Sequence, residues 1–494
     1  MRRGRLVTAI IVACLVAAVA GAVRWTATDS NRAPGRSAQA GRGESQPEEA
    51  EGRGGDPDAG DSLLQERLQA LREARAAGTL GITGPIRRDV ATGWQGERPL
   101  DPKADDWEPA AAADPGAPYV YTLHNRFGVH ACKRCPDPAM ILNVSADGGS
   151  AFGPDAFICR CKGVGAQFDP QIEVVPDTGD VYAVWMNDWE TVFTKSTDHG
   201  ATWSPPVSVI GSRKWSDKPI LATSTDGQDV YVGFNGPIGG DAWIASSHDG
   251  GTTWTQTLVM RSERYTFAYG GVVEPDGTVT FTDISFTYSG PGGAARGPVQ
   301  IHAFTSADGG QTWTRTLVDT LKLGVPCTSE GCYADFYDSG PALAGDANGK
   351  LVMVYDGAST YHGPRTVYAR SSLDGGLTWS DPVQLSPDGV NAAFPAAAAF
   401  GDGEVRVWFA DQRTGRWNVW YTSSDDLGAT WSQPVRISDA ISGTSYKSRK
   451  GFLEFYGDYG EIAVTSTGAT FGIWGEGPSY LGPGQVWFNL QVPA

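Results

Sequence analysis

Six stretches of the chain, 168–188, 216–236, 269–285, 338–357, 393–411 and 457–476, share one arrangement of apolar and polar positions. In each, a short apolar segment meets a Gly/Asp turn and then a segment dense in Val, Tyr, Phe and Trp, as in "VPDTGDVYAVWMND" (175–188). Runs of β-branched and aromatic residues bounded by turn formers predict strands paired in hairpins. A third segment such as "NVWYTSS" (418–424) and a fourth such as "PVRIS" (434–438) follow, which predicts four strands per unit.

Between the third and fourth segments sits a short box: "SADGGSAF" (145–152), "STDHGATW" (196–203), "SHDGGTTW" (247–254), "SADGGQTW" (306–313), "SLDGGLTW" (372–379) and "SDDLGATW" (424–431). Its aspartates, Asp147, Asp198, Asp249, Asp308, Asp374 and Asp426, are 51, 51, 59, 66 and 52 residues apart. A repeat of that period built from four strands predicts an all-β fold, a six-bladed β-propeller. Within the box, Ser and Asp side chains are placed to accept backbone N–H groups, Gly permits a left-handed turn, and Trp fills space between sheets. The six aspartates are therefore expected to be structural. Ring closure stays open at this level: "AMILNVS" (139–145) and "QVWFNLQV" (485–492) both read as third strands. Either one is displaced or the N-terminal piece completes the last blade.

Ahead of the repeat the pattern changes. Residues 6–23 are an apolar run of eighteen behind the basic "MRRGR", which reads as a signal peptide or a membrane anchor over 1–25. A lipid on Cys14 is a third option. Residues 26–60, rich in Gly, Pro, Glu, Arg and Ser, predict a disordered linker. Residues 61–78 place Leu63, Leu64, Leu68 and Leu71 on one face, with Asp61 and Ser62 as caps and Gly78 as a stop. That predicts one amphipathic helix, either a docking element or a helix lying against the domain or a membrane. Residues 79–114 read as linker and 115–494 as the propeller.

Charge and cysteines narrow the setting. A net charge of −17 leaves no basic stripe for phosphates, so nucleic acid is excluded as a partner. The expected partner is an extracellular surface ligand, with the membrane reached through 6–23 if that segment stays attached, and the protein is expected to be a monomer. In an exported chain Cys327 and Cys332 are expected to pair. Cys132, Cys135, Cys159 and Cys161 form two bridges or hold a zinc ion. The predicted location is extracytoplasmic, either secreted or anchored at the cell surface.

Candidate chemistry follows from where the hairpins begin and end. Asp169, Asp217, Tyr269, Asp338 or Ser339, Phe394 and Asp458 precede the first strands. Asp188, Asn235, Asp283, Asp356, Asp411 and Glu476 end the second ones. One rim is thus expected to be lined by acids, interleaved with Trp185, Trp189, Trp408, Trp417 and Tyr456, a mixture suited to hydroxyl-rich, neutral or cationic ligands. A ring of carboxylates also makes Ca²⁺ a candidate ligand, although no contiguous calcium loop is present. The histidines, among them His124, His130 and His302, are scattered.

The six boxes resemble the Asp-box (BNR) repeats of the sialidase superfamily over roughly residues 115–494. That resemblance implies three arginines clamping a sugar carboxylate, a tyrosine nucleophile activated by a glutamate, and an aspartate acid/base. Carried onto this chain, the nucleophile is Tyr456 or Tyr459 in "FLEFYGDYGE" (452–461), with Glu454 or Glu461 nearby, and Asp188 is the acid. Arg126, Arg413, Arg449 and Arg264 are the candidate arginines, and Asp169, Asp217, Asp411 and Asp458 complete the substrate-binding set. The family's Arg-Ile-Pro motif is absent, its place reading Gln167-Phe168-Asp169-Pro170. Two functions follow: an exo-glycosidase of sialidase type, or a non-catalytic propeller binding a glycan, peptide or cation.

Overall fold

The computed structural model describes residues 61–129, 133–213, 215–236, 240–261, 265–288, 295–330, 332 and 340–492. The calls on 1–25 and 26–60 lie outside these residues, as do Cys132, His130, Arg264, Asp338 and Ser339. No helix among the described residues is long and apolar enough to cross a membrane.

The strands form seven antiparallel sheets whose innermost strands touch in a closed ring. The inner strands are Asp106–Ala113, Gln167–Val174, Asp217–Thr223, Tyr265–Val273, Ala342–Gly345, Ala392–Phe400 and Glu461–Val464, in blades 1 to 7. The fold is therefore a seven-bladed propeller, not a six-bladed one. The six boxes belong to blades 1 to 6, and blade 7 has none. Its order from the axis outward is Glu461–Val464, Thr470–Gly477, Gln485–Leu490 and then Arg98–Pro99, so its outermost strand comes from the N-terminal side. Ring closure thus stitches together segments nearly 400 residues apart. Strands Arg98–Pro99 and Asp106–Ala113 also lie inside the stretch 79–114 that reads as linker, so the propeller begins earlier than expected.

Second strands such as Val230–Asn235, Leu351–Ala358 and Thr470–Gly477 are buried at every position. Neighbouring blades cover both of their faces, which is why they read as continuous apolar runs rather than alternating ones.

In the third box the Ser247 hydroxyl donates to Asp249 Oδ1 (2.8 Å) and accepts Gly251 N–H (3.0 Å). Asp249 Oδ1 accepts the amides of Thr252 and Thr253 at 2.9 and 2.8 Å, and Trp254 Nε1 donates to Gly251 O at 3.0 Å. Gly250 and Gly251 take φ of +66° and +80°, which a Cβ would strain. Around Asp147 the same Ser and backbone bonds form, with Phe152 packed on Phe471 and Phe488 of blade 7 in place of Trp. Because inner strands start and second strands end at one face, these third-to-fourth turns lie at the opposite face.

Helix α1, Asp61–Ala77, packs on the face where the inner strands start. Leu63, Arg67 and Leu71, spaced by four, are buried there against Trp107, Phe127, Phe168, Met186 and Tyr480.

Disulfides join Cys159 to Cys161 and Cys327 to Cys332, and Cys135 is also disulfide-bonded. These bonds replace the zinc alternative, since thiols joined in disulfides are not thiolate ligands.

Candidate functional site

Four of the inner strands enter the ring through the same irregularity. The register of blades 1, 2, 3 and 6 breaks at Trp107/Ala110, Phe168/Gln171, Asp217/Ile220 and Ala393/Ala396. At these bulges Glu108, Asp169, Lys218 and Phe394 adopt φ of +53°, +50°, +49° and +55°, and each precedes a proline. A left-handed non-glycine residue costs about 1–3 kcal/mol, and four at equivalent positions around one axis mark a place where side-chain direction outweighs backbone ease. Glu108, Asp169 and Lys218 thereby gather their charged ends at one mouth of the channel.

Asp458 of blade 7 completes the group. One carboxylate oxygen from each of Glu108, Asp169 and Asp458 lies within 4.8 Å of the others. The Lys218 ammonium pairs with Asp458 and stands 3.6 Å from Asp169. Glu108 Oε2 accepts the Asn125 amide (2.7 Å) and the Asp169 backbone N–H (3.0 Å), locking two neighbouring blades together. Tyr269, Phe394 and Tyr459 add aromatic surface, and the Tyr459 ring lies 5.5 Å from the Lys218 ammonium.

With the inner strands, this rim lines a cavity of about 280 Å³. Glu173 and Glu461 line it, and Gln171 donates to Glu461 at 3.2 Å. Desolvation pushes the Glu461 carboxyl up to about 7. Desolvation, and then the charge of Glu461, holds Glu173 well above the usual carboxylate range. The channel therefore combines a salt-bridged carboxylate cluster with a carboxyl group that still carries its proton near neutrality. No arginine is among the described residues that line it.

Asp169, Asp458 and Tyr459 of the expected site lie in this channel, with Tyr269 and Phe394 from the expected rim. The others lie elsewhere. Tyr456 is fully buried, and its hydroxyl donates to Asp105 (2.8 Å) behind Trp107. Burial holds that phenol well above its ordinary range, so Tyr456 is a core residue and not an accessible nucleophile. Glu454 is buried in the short strand Glu454–Phe455, outside the cavity lining. Asp188 accepts the amides of Gly165 and Ala166 at 2.7 and 3.0 Å and caps that loop.

The candidate arginines are engaged away from the channel or turned to solvent. Arg126 grips Asp106 through two nitrogens (2.5 and 3.0 Å) and pairs with Asp155. Arg413 pairs with Asp411 (2.7 Å) and stacks over Trp420 at 3.7 Å. Arg449 is exposed. Asp217 is fully buried under the rim beside Asn235, its place at the mouth taken by Lys218. Trp185, Trp408 and Trp417 are core residues between blades, not rim residues.

Glu108, Lys218 and Glu173 were not legible as site residues. For Glu108 and Lys218 the signal is the dipeptide X-Pro at the head of an inner strand, "WEPA" and "DKPI" matching "FDPQ" and "AFPA" around Asp169 and Phe394, whereas Glu173 has no such signal.

Residues 243–450 match the model of a BNR repeat-like domain. This part of the chain is similar to the BNR repeat-like family. The matched stretch carries four of the six boxes, and those at Asp147 and Asp198 outside it have the same hydrogen bonding. Blades 1 to 6 thus share one form of box, and its likeness to the BNR repeats of the sialidase superfamily holds. Among solved structures the chain is similar to a Hadza microbial sialidase, with 15% identity over 72% of this chain and 73% of that one and a TM-score of 0.43. It is similar to an ulvan lyase, a polysaccharide lyase solved bound to -[GlcA(1-4)Rha3S]-, at 12% identity over 81% and 95%, TM-score 0.47. The NanB sialidase from Streptococcus pneumoniae gives 10% over 85% and 72%, TM-score 0.43. Identities this low bear on the fold alone. No curated protein matches the chain.

Proposed function

We propose that this protein is an extracytoplasmic glycoside hydrolase acting on the non-reducing end of a neutral glycan at the channel mouth. The observation that carries the reading is that Glu461, raised to about 7, and the carboxylates of Asp169 and Asp458 line one channel, with no arginine among its described lining residues. Glycosidic cleavage needs a carboxylic acid that protonates the leaving oxygen and a carboxylate that stabilises the developing charge or activates water. Glu461, supported by Glu173, supplies the proton. Asp169 and Asp458, held by the Lys218 ammonium, supply the negative charge. Tyr269, Phe394 and Tyr459 offer rings to the apolar faces of a sugar.

A sugar carboxylate would call for a bidentate guanidinium, and none of the described residues lining the channel supplies one. Sialic acid is accordingly not the proposed substrate, and Tyr459 stacks rather than attacks. The disulfides and the apolar run at 6–23 support export.

A second reading rests on the rim alone. Three carboxylates within 4.8 Å could take a divalent cation such as Ca²⁺ in place of the Lys218 ammonium, in a propeller that binds without turnover. Hydrolysis of a panel of fluorogenic glycosides, sialosides included, by the full chain separates the two. Turnover of a neutral glycoside is expected. Turnover confined to sialosides would overturn the substrate class, and no turnover with Ca²⁺ binding would establish the second reading.

A further inference from the structure

Arg67 of helix α1 is fully buried, and none of its guanidinium nitrogens has a hydrogen-bond acceptor. What it touches is aromatic, and the buried Asp105 carboxyl lies close enough to feel its charge. The guanidinium carbon lies 3.4 Å from the Trp107 ring centroid, 4.5 Å from Tyr480 and 5.5 Å from Phe127. A desolvated cation held on ring faces, with no fork onto a carboxylate, has the geometry of an aromatic cage around a bound cationic ligand. Most buried arginines are fixed by paired hydrogen bonds, as Arg126 is here.

The element that delivers this cation is docked along one face only. Helix α1 has a single buried stripe, Leu63, Arg67 and Leu71, with Leu64 and Leu68 half-buried beside it and the remaining described side chains largely in solvent. A helix of 17 residues is marginal without its docking contacts, so its release needs only the loss of that stripe. The cage also touches the channel mouth. Trp107 immediately precedes Glu108, and a Cβ placed on Gly457 would meet Glu108 N at 2.9 Å and Trp107 Cδ1 at 3.0 Å. Asp458 is the next residue, so cage and rim share one packed seam.

We propose that the Trp107–Tyr480–Phe127 cage is a cation-binding site whose resident ligand is Arg67, and that a guanidinium or alkylated ammonium group supplied in trans competes for it and releases helix α1 as a cap. This site is separate from the glycan reading and survives its failure. The partner class is a small cation or a peptide presenting arginine or methylated lysine. Its capture would expose Leu63 and Leu71 and loosen the seam that holds Glu108 and Asp458.

The test uses methylguanidinium as the probe on the full chain. Arg67→Ala empties the cage, and methylguanidinium is expected to quench its tryptophan fluorescence saturably and to restore at least half of its lost melting temperature, with sodium at equal ionic strength doing neither. Wild type is expected to show slower, weaker quenching with faster proteolysis within 61–77 as the probe rises. If Arg67→Ala fails to fold, the wild-type proteolysis arm stands alone, with tetramethylammonium as a second, non-denaturing probe. An unchanged cleavage rate in wild type, or a folded Arg67→Ala that responds to the probe no more than to sodium, would overturn the proposal.

Discussion

Lys447→Met is the sharpest perturbation of ring closure. The Lys447 ammonium lies 2.9 Å from Glu97 and 2.6 Å from Glu476, all three side chains at most 1% exposed, and 3.8 Å over the Trp487 ring. Glu97 precedes the strand Arg98–Pro99 that closes blade 7, and Glu476 ends the second strand of that blade. Burial, then the neighbouring Glu476, raises the Glu97 carboxyl well above its usual range. The cluster therefore sets the Glu476 carboxylate, beside a Glu97 carboxyl biased toward its protonated form, against one buried ammonium.

Removing the ammonium strands that carboxylate, and breaking a buried pair by deleting one partner costs about 3–5 kcal/mol. That is roughly two to four orders of magnitude in the folding equilibrium. A raised carboxyl contributes stability that is complete below its unfolded value of 4.5 and is lost as pH rises toward its folded value. Losing the lysine raises it further, so the deficit of Lys447→Met grows from pH 5 to pH 8. Urea denaturation followed by tryptophan fluorescence measures it, and Lys447→Met/Glu476→Gln, which leaves no uncompensated charge, recovers at least half of the loss. A deficit below about 1 kcal/mol that does not vary with pH would refute the reasoning, because a buried lone carboxylate cannot cost so little.

Three further outcomes follow. The box carboxyls of Asp198, Asp249 and Asp308, held at about 2 chiefly by a threonine hydroxyl donor, stabilise the fold above the unfolded value of 3.8. That stability is lost as pH falls through 2, so replacing them with asparagine shifts the acid-unfolding midpoint measured by circular dichroism, and an unmoved midpoint counts against the assignment. Tyr456→Phe removes a buried donor to Asp105, lowers stability by about 1 kcal/mol, and leaves glycoside turnover within twofold of wild type, whereas a nucleophile would lose it altogether. Lys218→Met leaves Glu108, Asp169 and Asp458 without their ammonium, and calorimetric titration with CaCl₂ then detects a cation site at least tenfold tighter than in wild type; equal affinities would remove Lys218 from that role.

Sequence patterns revealed the repeat because a box is a local device: Ser247, Asp249, Gly251 and Trp254 satisfy one another within eight residues. Blade 7 escaped because it lacks that device and takes its outer strand from Arg98–Pro99, a pairing with no local signature. The inner strand of blade 1, "DWEPAAAA", reads as linker since alanine carries little strand preference, and only burial against blades 2 and 7 makes it one. At the site, Asp169 and Asp458 were legible as acids ahead of inner strands. Asp217 and Lys218 exchanged roles because a one-residue bulge reverses which side chain faces the axis. Tyr456 and Tyr459 sit three residues apart in one acidic, aromatic segment, and only packing against Trp107 separates the buried one from the channel one.

The central claim is that Glu461 is the proton donor of a glycan-cleaving channel. It is tested most directly by the pH dependence of kcat/KM for the best neutral glycoside in wild type and Glu461→Gln. A limb near pH 7 in wild type, with turnover lost at least a hundredfold in the variant, is the predicted result. A variant that retains wild-type turnover, or a wild-type profile flat through pH 7, would contradict it.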